Sequence, residues 1–558
     1  MLRLPPALTG SPIRGGALRL DDDMERTEIF TADAPATDLL CPADGMSALF
    51  RVTRVKVAVA ATAVVVIYLA GVIGRWWPNQ DSAVYLGLAK SIIAGEGYRF
   101  DGQVNTQFSP GLPLILAAMM RVFGENYWVL NLFIALCGLT AIAAAWLSMR
   151  ILVRDAQLAF AATACAAFSY PFFLSSHRIL TDAPFAALFW IVVYSVLAFR
   201  RGSAWWLLSA GGFAFAGMVI RAPGMLLLAP AALGIALDGP KERGGRRLAA
   251  AGVIAAVTVG TGTALYVLAR MASAAQPKYV QLVRTTTGTD WSASLATAKL
   301  VLVSLARAVS ELFSSQTGWI SIGTVVLALS VPGAARLWRR HERFAPAVVI
   351  LYPLLLAAAL ASYGMRSRYL FPAMPLIAYV YLTGVEWAFD VLFARRGKAW
   401  APLAFRWAVV VVTGFTILSN APRTFRDAFY FSALSHTKAF ESAVRHTMHA
   451  DVYAACDVVS AYCPPGSVVG VPPDESTIIH YVTGRVTVAL LEDTRRSLRY
   501  DAGNLFDLVR TRGDIEYVLV DDSIGKRQLV DSIIAGLDAD ASLKVICRGK
   551  SVLYERTR

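Results

Sequence analysis

Charge is scarce in this chain: Asp, Glu, Lys and Arg make up only 16% of its 558 residues, against 56% hydrophobic. A soluble protein of this size has no core able to hide that much apolar surface, which excludes the ordinary water-soluble classes. Cysteine is also sparse, with six residues and no CxxC pair, so no zinc-ligand spacing is present. Cys137 and Cys165 lie inside apolar runs as small hydrophobes, whereas Cys456, Cys463 and Cys547 stand in a polar C-terminal region with room for one disulfide. Roughly the first 45 residues lack any apolar run and are rich in Pro, Gly and Asp. They are no cleaved signal peptide and read as a disordered cytoplasmic tail over 1–50, with Met24 and Met46 as alternative starts to Met1. No internal repeat and no nucleotide-binding glycine loop occurs. Gly211-Gly212 sits inside an apolar run, where small residues serve helix packing.

What the chain has instead is a succession of long apolar runs. Runs of about 18 residues or more read as transmembrane helices. They fall at 56–74, 127–150, 157–175, 183–199, 204–220, 223–238, 248–270, 317–335, 344–363, 369–393 and 402–419. The expected fold is therefore an α-helical polytopic membrane protein of about eleven transmembrane helices. The apolar segment 111–124 is too short to span and is expected to lie at the interface or re-enter.

The net charge of +14 would suggest nucleic acid if it formed one soluble face. Instead the basic residues gather in short loops, and no nucleic-acid partner is expected. Arg51, Arg54 and Lys56, Arg150 and Arg154, Arg200 and Arg201, Lys241 to Arg247, Arg336 to Arg343, and Arg395 to Lys398 all mark one side. That alternation predicts a cytoplasmic N-terminus in the cell inner membrane. The opposite, extracytoplasmic side then holds loops 75–126 and 271–316 and everything after residue 420. The predicted organisation is a membrane domain over 51–420 and an extracytoplasmic domain over 421–558. In the latter, a helix over 440–460 and short β-type runs at 467–471, 515–520 and 543–546, with a helical stretch near 504–512, predict a small α/β unit.

Ionisable groups at a membrane rim are costly and mark function. Asp81 follows the first span, and Asp182 follows a later pair on the same side. Asp81, Tyr85 and Ala89 share one helical face; the structural alternative for Asp81 is an N-cap. Asp182 is open to several roles: orienting an acceptor, holding a divalent cation with Asp81, pairing with Arg178, or capping the helix that starts at Ala183-Pro184. Arg178, Arg221, Arg366 and Arg368 break the positive-inside bias, and a guanidinium fork suits phosphate oxygens. For Arg366 and Arg368 the alternative is anchoring of a helix end. Lys90 and Glu96 either line a pocket or face solvent, Lys278 and Arg284 are weaker phosphate candidates, and His177 reads as a turn residue.

Several segments occur in a telling order. An acid follows the first span, then Gly95-Glu96-Gly97-Tyr98, Ser109-Pro110-Gly111-Leu112-Pro113 and Phe123-Gly124, then Arg178 to Pro184, and finally Arg366-Ser367-Arg368-Tyr369-Leu370-Phe371-Pro372. With that order and sidedness, most of 56–420 resembles the GT-C superfamily of polytopic glycosyltransferases. The nearer likeness is to bacterial protein-mannosyltransferase and lipid A aminoarabinose-transferase-like proteins. The resemblance implies a polyprenyl-phosphate-linked sugar donor and transfer, with inversion, to an envelope glycolipid, glycan or protein on the outer face. Transfer needs a base for the acceptor hydroxyl and positive charge for the departing phosphate. Asp81 is the candidate base and Asp182 the second catalytic acid; Tyr85, Lys90, Arg178, Arg221, Arg366, Arg368 and Tyr369 are the candidate substrate-binding residues. The family pattern often places a second acid directly after the first; here Ser82 stands there, which weakens a metal role for Asp81. Tyr279, Gln281 and Trp291 in loop 271–316 are open to two roles, covering the site or contacting sugar. The alternatives are a secondary transporter or lipid-linked sugar flippase, and a non-catalytic assembly protein whose external domain binds wall polymer. Transporters, however, set their binding groups near the midplane between related halves.

Overall fold

In hydrocarbon a backbone must satisfy its own hydrogen bonds, so apolar runs become helices. The computed structural model describes residues 50–557 apart from 200–202, 222–223, 239–243, 273–290, 316–319, 361–365, 394–399, 431–432, 434–449, 472–475, 490–508, 510–511, 513, 522–526 and 549–550. The chain divides into a unit ending at Arg51 and a second over Val52–Arg558; the elements that build the site belong to the second. The N-terminal tail, the stretch 440–449 and most of 504–512 fall outside the described residues.

Among the described residues, six helices are long and apolar enough to cross a bilayer: Tyr127–Leu152, Asp182–Phe199, Gly245–Leu268, Ile320–Arg339, Ser367–Phe393 and Ala401–Tyr430. Shorter apolar helices are Gly111–Phe123, Ala156–Ala167, Trp205–Ile220, Leu226–Leu237 and Phe344–Leu356. With Arg54–Ala70 these cover every predicted span. The molecule is a multi-pass membrane protein. Asp182–Phe199 lies at its centre, with 78% of its span buried, and packs between Tyr127–Leu152 and Trp205–Ile220.

Two expectations are corrected. The span predicted over 157–175 is two helices, Ala156–Ala167 and Tyr170–Ser175, with Ser169 extended between them. Pro171 lacks the N–H that a continuous helix would give to the Ala167 carbonyl, which accepts the Tyr68 hydroxyl at 3.0 Å instead. The N–H of Tyr170 donates instead to Oδ1 of buried Asn420 at 3.2 Å. Second, the loop expected over 271–316 contains a 23-residue helix, Trp291–Phe313. Its last carbonyl, on Phe313, accepts from Ser419 Oγ at 2.9 Å and Asn420 Nδ2 at 3.2 Å, which ties the helix end to Ala401–Phe425.

The polar C-terminal region forms the expected α/β unit. A hairpin of β1 (Arg99–Phe100) and β2 (Gln103–Val104) precedes it in the chain. The unit opens with the helix Ala450–Tyr462 and continues as β3 (Val468–Val471), the helix Ser476–Thr483 and β4 (Val486–Ala489). Then come β5 (Tyr517–Asp521), the helix Arg527–Asp538, β6 (Leu543–Arg548) and β7 (Ser551–Arg556). The sheet order is β4-β3-β5-β7-β6, parallel from β4 to β5 and antiparallel from β5 to β6. Strands β3, β5 and β6 were expected; β4 and β7 add to them. Among the described residues no disulfide forms, and Cys456, Cys463 and Cys547 are not joined to one another.

Gly211 faces Val253 on the neighbouring helix, as the packing reading expects, while Gly212 faces open space. A close helix contact is at Gly333 and Gly384, where Ile320–Arg339 and Met374–Phe393 meet backbone to backbone. A Cβ on Gly384 would overlap the Leu329 carbonyl oxygen, and one on Gly333 the carbonyl oxygen of Val380. Gly384→Ala is therefore expected to lower stability by about 2–3 kcal/mol through overpacking. Gly414→Ala, at a site where a Cβ meets nothing, is expected to be neutral or to stabilise by up to about 1 kcal/mol. Thermal unfolding of the two variants in detergent checks this, and equal shifts would contradict it.

Candidate active site

The acid helix starts from a local signal. Asn79 is extended and caps the helix Gln80–Ile93, its side chain accepting the backbone N–H of Asp81 at 3.0 Å. The capping alternative for Asp81 is thus corrected: Asn79 takes that role and leaves the Asp81 carboxylate free to point elsewhere. Ser82, beside it, is fully buried; its hydroxyl donates to the Asn79 carbonyl at 2.8 Å and accepts the Trp76 indole N–H at 2.9 Å. The position after Asp81 therefore belongs to the packing of the turn.

Asp81 meets the late arginine motif. Arg368 Nη1 lies 2.8 Å from Asp81 Oδ2, and Arg368 Nη2 donates to the Tyr369 hydroxyl at 3.2 Å. Arg368 belongs to the short helix Ser367–Leu370, which leads through a 3-10 turn into Met374–Phe393. A second pair stands beside the first. Arg221, at the end of Trp205–Ile220, donates from Nη1 to Asp182 Oδ1 at 2.8 Å and to Thr181 Oγ1 at 3.0 Å. The pairing with Arg178, one of the roles left open for Asp182, is thus replaced by a pair with Arg221. Asp182 opens the central helix and is 3% exposed, so its charge depends on Arg221.

Tyr369 joins the two pairs. The Arg368 guanidinium lies 5.1 Å and that of Arg221 5.7 Å from its ring centroid, distances at which a cation is drawn to a π face. Tyr352 donates to the Tyr369 carbonyl at 2.5 Å. Tyr85 lies 3.4 Å from Thr181 Oγ1 through its hydroxyl. Burial, then the nearby Asp81 carboxylate, push its phenol far above the usual range, so it stays neutral.

Of the sequence candidates, Asp81, Asp182, Tyr85, Arg221, Arg368 and Tyr369 thus form one cluster. Arg178 borders it: the guanidinium lies 5.8 Å from the Trp77 ring, feels the charge of Asp427, and repels that of Arg368. Arg366 is exposed at the start of the same short helix. Lys90 lies apart, 2.9 Å from Glu125 and 4.5 Å from the Tyr481 ring. Glu96 accepts from Ser91 Oγ at 3.2 Å in the same loop. His177 is buried with both ring nitrogens 2.7 Å from carbonyls, those of Phe173 and Tyr68. Tyr279, Gln281, Lys278 and Arg284 lie outside the described residues, and Trp291 opens the helix Trp291–Phe313. Among the described residues no three of His, Cys, Asp and Glu gather as metal ligands. Asp81 and Asp182 each face an arginine.

Sequence reasoning missed the attachment of the C-terminal unit to the acid helix. The helix Ser476–Thr483 packs on Gln80–Ile93 and β1. Tyr481 donates to Glu125 Oε1 at 2.7 Å and stacks edge-on against Trp76 at 4.8 Å, the residue whose indole holds Ser82. The hydroxyls of Tyr127 and Tyr481 are 2.7 Å apart, and Tyr127 also donates to Glu125. His480 Nδ1 faces both Asp101 Oδ1 at 3.2 Å and the Arg485 carbonyl at 2.7 Å. No local pattern announces such a junction; the aromatic residues at 76, 127 and 481 are its only trace.

Residues 107–266 match the family model of dolichyl-phosphate-mannose-protein mannosyltransferases. The solved structure of ArnT from Cupriavidus metallidurans bound to undecaprenyl phosphate is 14% identical with a TM-score of 0.51, over 92% of this chain and 98% of that one. Its apo form is 15% identical with a TM-score of 0.50, over the same 92% and 98%. The chain has the fold of ArnT. The oligosaccharyltransferase AglB from Archaeoglobus fulgidus is also similar, at 14% identity and a TM-score of 0.49 over 84% of this chain and 70% of that one. No curated protein matches the chain by sequence. The likeness to ArnT covers 92% of the chain and so reaches beyond the 56–420 over which the order of motifs runs.

Two predictions follow from the ion pairs. Asp182→Ala leaves the Arg221 guanidinium uncompensated in a buried site and is expected to cost about 3–5 kcal/mol, whereas the double variant Asp182→Leu with Arg221→Met recovers most of it. Thermal unfolding of the three proteins checks this; a double variant as weak as the single would contradict it. At the junction, burial opposes ionisation of Glu125, but hydrogen bonds from Tyr127, Lys90 and Tyr481 outweigh it and hold the carboxyl below its ordinary value. A lowered folded value means stability that is complete above the usual carboxylate range and is lost as pH falls through the lowered one. Burial raises Asp101 in spite of the His480 charge, so its contribution has the opposite sign and declines as pH rises through the carboxylate range. Hydrogen exchange of 476–483 against pH is expected to lose its low-pH rise in Glu125→Gln and its rise across the upper carboxylate range in Asp101→Asn. Unchanged profiles in both would contradict the assignment.

Proposed function

We propose that the chain is a membrane glycosyltransferase that moves a sugar from a polyprenyl-phosphate carrier to an envelope acceptor (glycolipid, glycan or protein) on the extracytoplasmic face. The observation that carries this reading is the Asp81–Arg368 pair, with the Arg221 guanidinium also near the Tyr369 ring. The match to mannosyltransferases that use a dolichyl-phosphate donor, and the fold shared with ArnT, support it. ArnT in its complex binds undecaprenyl phosphate, and a lipid phosphate of that class suits two guanidiniums.

In the proposed reaction the donor's phosphodiester replaces Asp81 as the counter-ion of Arg368. Asp81 Oδ2, so released, takes the proton of the acceptor hydroxyl. The acceptor oxygen forms a bond to the anomeric carbon as the bond from that carbon to the phosphate oxygen breaks. The electron pair leaves on the phosphate, where Arg368 and Arg221 neutralise it. Attack opposite the leaving group in one step inverts the anomeric centre. Neutral Tyr85 and Thr181 border the site as hydrogen-bonding groups, and Asp182 holds Arg221 in place. The basic loops put the N-terminus in the cytoplasm of the inner-membrane face, so the α/β unit over 421–558 stands with the site on the outer side.

Asp81→Asn is expected to lower transfer by at least about a hundredfold, the usual contribution of a positioned base. Its binding of undecaprenyl phosphate is expected to stay equal or tighten, because Arg368 loses a competing carboxylate. Mass spectrometry of envelope glycolipids and glycoproteins in a deletion strain is expected to show one missing glycan, restored by the wild-type chain but not by Asp81→Asn. Full restoration by Asp81→Asn, or counterflow of a lipid-linked sugar without covalent transfer, would overturn the reading.

A further inference from the structure

A third acid stands on the arginine motif, supplied by a helix the sequence concealed. Glu311 lies two residues before the end of Trp291–Phe313, and its Oε2 accepts a hydrogen bond from Ser367 Oγ at 2.6 Å. Ser367 is buried, at 9% exposure, and is flanked by Arg366 and Arg368. A bond of that length to a carboxylate is of the strong, charge-assisted kind.

The post from which Ser367 hangs is itself fixed. Phe313, two residues on, has its carbonyl bonded by Ser419 and Asn420, and Ser315 Oγ donates to the Ser419 carbonyl at 2.8 Å. On its other side the arginine-bearing turn is held by Tyr352 through the Tyr369 carbonyl. The two anchors bracket Arg368: one is on the residue before it, the other on the residue after it. Arg366 is extended, with φ −113° and ψ 147°, and helical geometry starts at Ser367, so the chain changes direction between the two arginines. The rotation of Ser367 therefore decides where the Arg368 fork points relative to Asp81 and Tyr369. Packing alone would not need a carboxylate here; a hydroxyl bonded to an anion is held far more firmly than one left to water.

We infer that Glu311 is a positioning residue for the lipid-phosphate site, acting through Ser367 to aim the Arg368 guanidinium. The inference rests on the donor-binding reading of that site. It assigns to the helix Trp291–Phe313 a part in donor affinity, distinct from the proton transfer given to Asp81.

The test uses the full-length protein in detergent, with undecaprenyl phosphate titrated by native mass spectrometry and transfer followed in the complemented strain. Glu311→Ala and Ser367→Ala are each expected to raise the Kd for undecaprenyl phosphate about tenfold, the value of one hydrogen bond to a charged group. Glu311→Gln keeps an acceptor oxygen but loses the charge, and is expected to fall between wild type and Glu311→Ala. The Glu311→Ala, Ser367→Ala double variant is expected to be no weaker than the worse single one, since both break the same bond. Turnover at saturating donor is expected to change less than about threefold in all of them, which a role in proton transfer would not allow. Ser367→Ala removes one hydroxyl and keeps the proposal testable if Glu311→Ala misfolds. Unchanged affinity in Ser367→Ala, additive losses in the double variant, or Glu311→Gln as weak as Glu311→Ala would overturn the inference while leaving the donor reading intact. Failure of the wild-type protein to bind undecaprenyl phosphate would overturn the donor reading, and the inference with it.

Discussion

The arrangement at the rim depends on one constraint, which is that a carboxylate withdrawn from water needs a cation beside it. At an effective dielectric constant of about 20, a pair near 4 Å gains about 4 kcal/mol, of the same order as the desolvation of its two ions. The Asp81–Arg368 pair is thus close to break-even, and either partner can be exchanged for another ion of its sign at little cost. A phosphate arriving at Arg368 offers such an exchange. On the proposed reaction, the acid that neutralises the arginine at rest is the base once the donor occupies the arginine.

The sheet unit belongs to the same constraint. Asp81 points toward Arg368 because Asn79 takes the cap and Trp76 pins Ser82 beneath it. Trp76 in turn packs on Tyr481 of the C-terminal unit. A path of contacts therefore joins the sheet unit to the acid, and through Glu125 and Lys90 it also fixes the far end of the acid helix. Lys90 thus contributes to the junction and stands apart from the arginine cluster.

Helices at the predicted spans were legible because hydrophobic length is a property of each segment alone. The rim acids and arginines were legible for a related reason, since each breaks a local rule of apolarity or sidedness. Partner choice was not legible. Asp182 was as well placed in sequence to meet Arg178, four residues before it, as Arg221, and only the packing of Trp205–Ile220 against the central helix decides for Arg221. The helix Trp291–Phe313 escaped notice because Lys299, Arg307 and Glu311 interrupt its apolar pattern, so that it read as loop and took Glu311 out of view. The break at Ser169 needed weight on a single proline within an otherwise good span.

The two acids of the cluster differ in a way that assigns their parts. Asp182 is 3% exposed and its Oδ1 is engaged by Arg221, whereas Asp81 is 31% exposed and shares an arginine that also reaches Tyr369. A general base must meet a hydroxyl that diffuses in, and it must lose its own counter-ion when the donor binds. Asp81 meets both conditions. Asp182 meets neither, because removing Arg221 from it would strand a charge at the start of the central helix. On the proposed reaction Asp182 therefore acts through Arg221, keeping one guanidinium of the phosphate site in place while Arg368 changes partners. A site built in this way needs one acid that stays paired and one that is freed, and the difference in burial between Asp182 and Asp81 supplies that asymmetry.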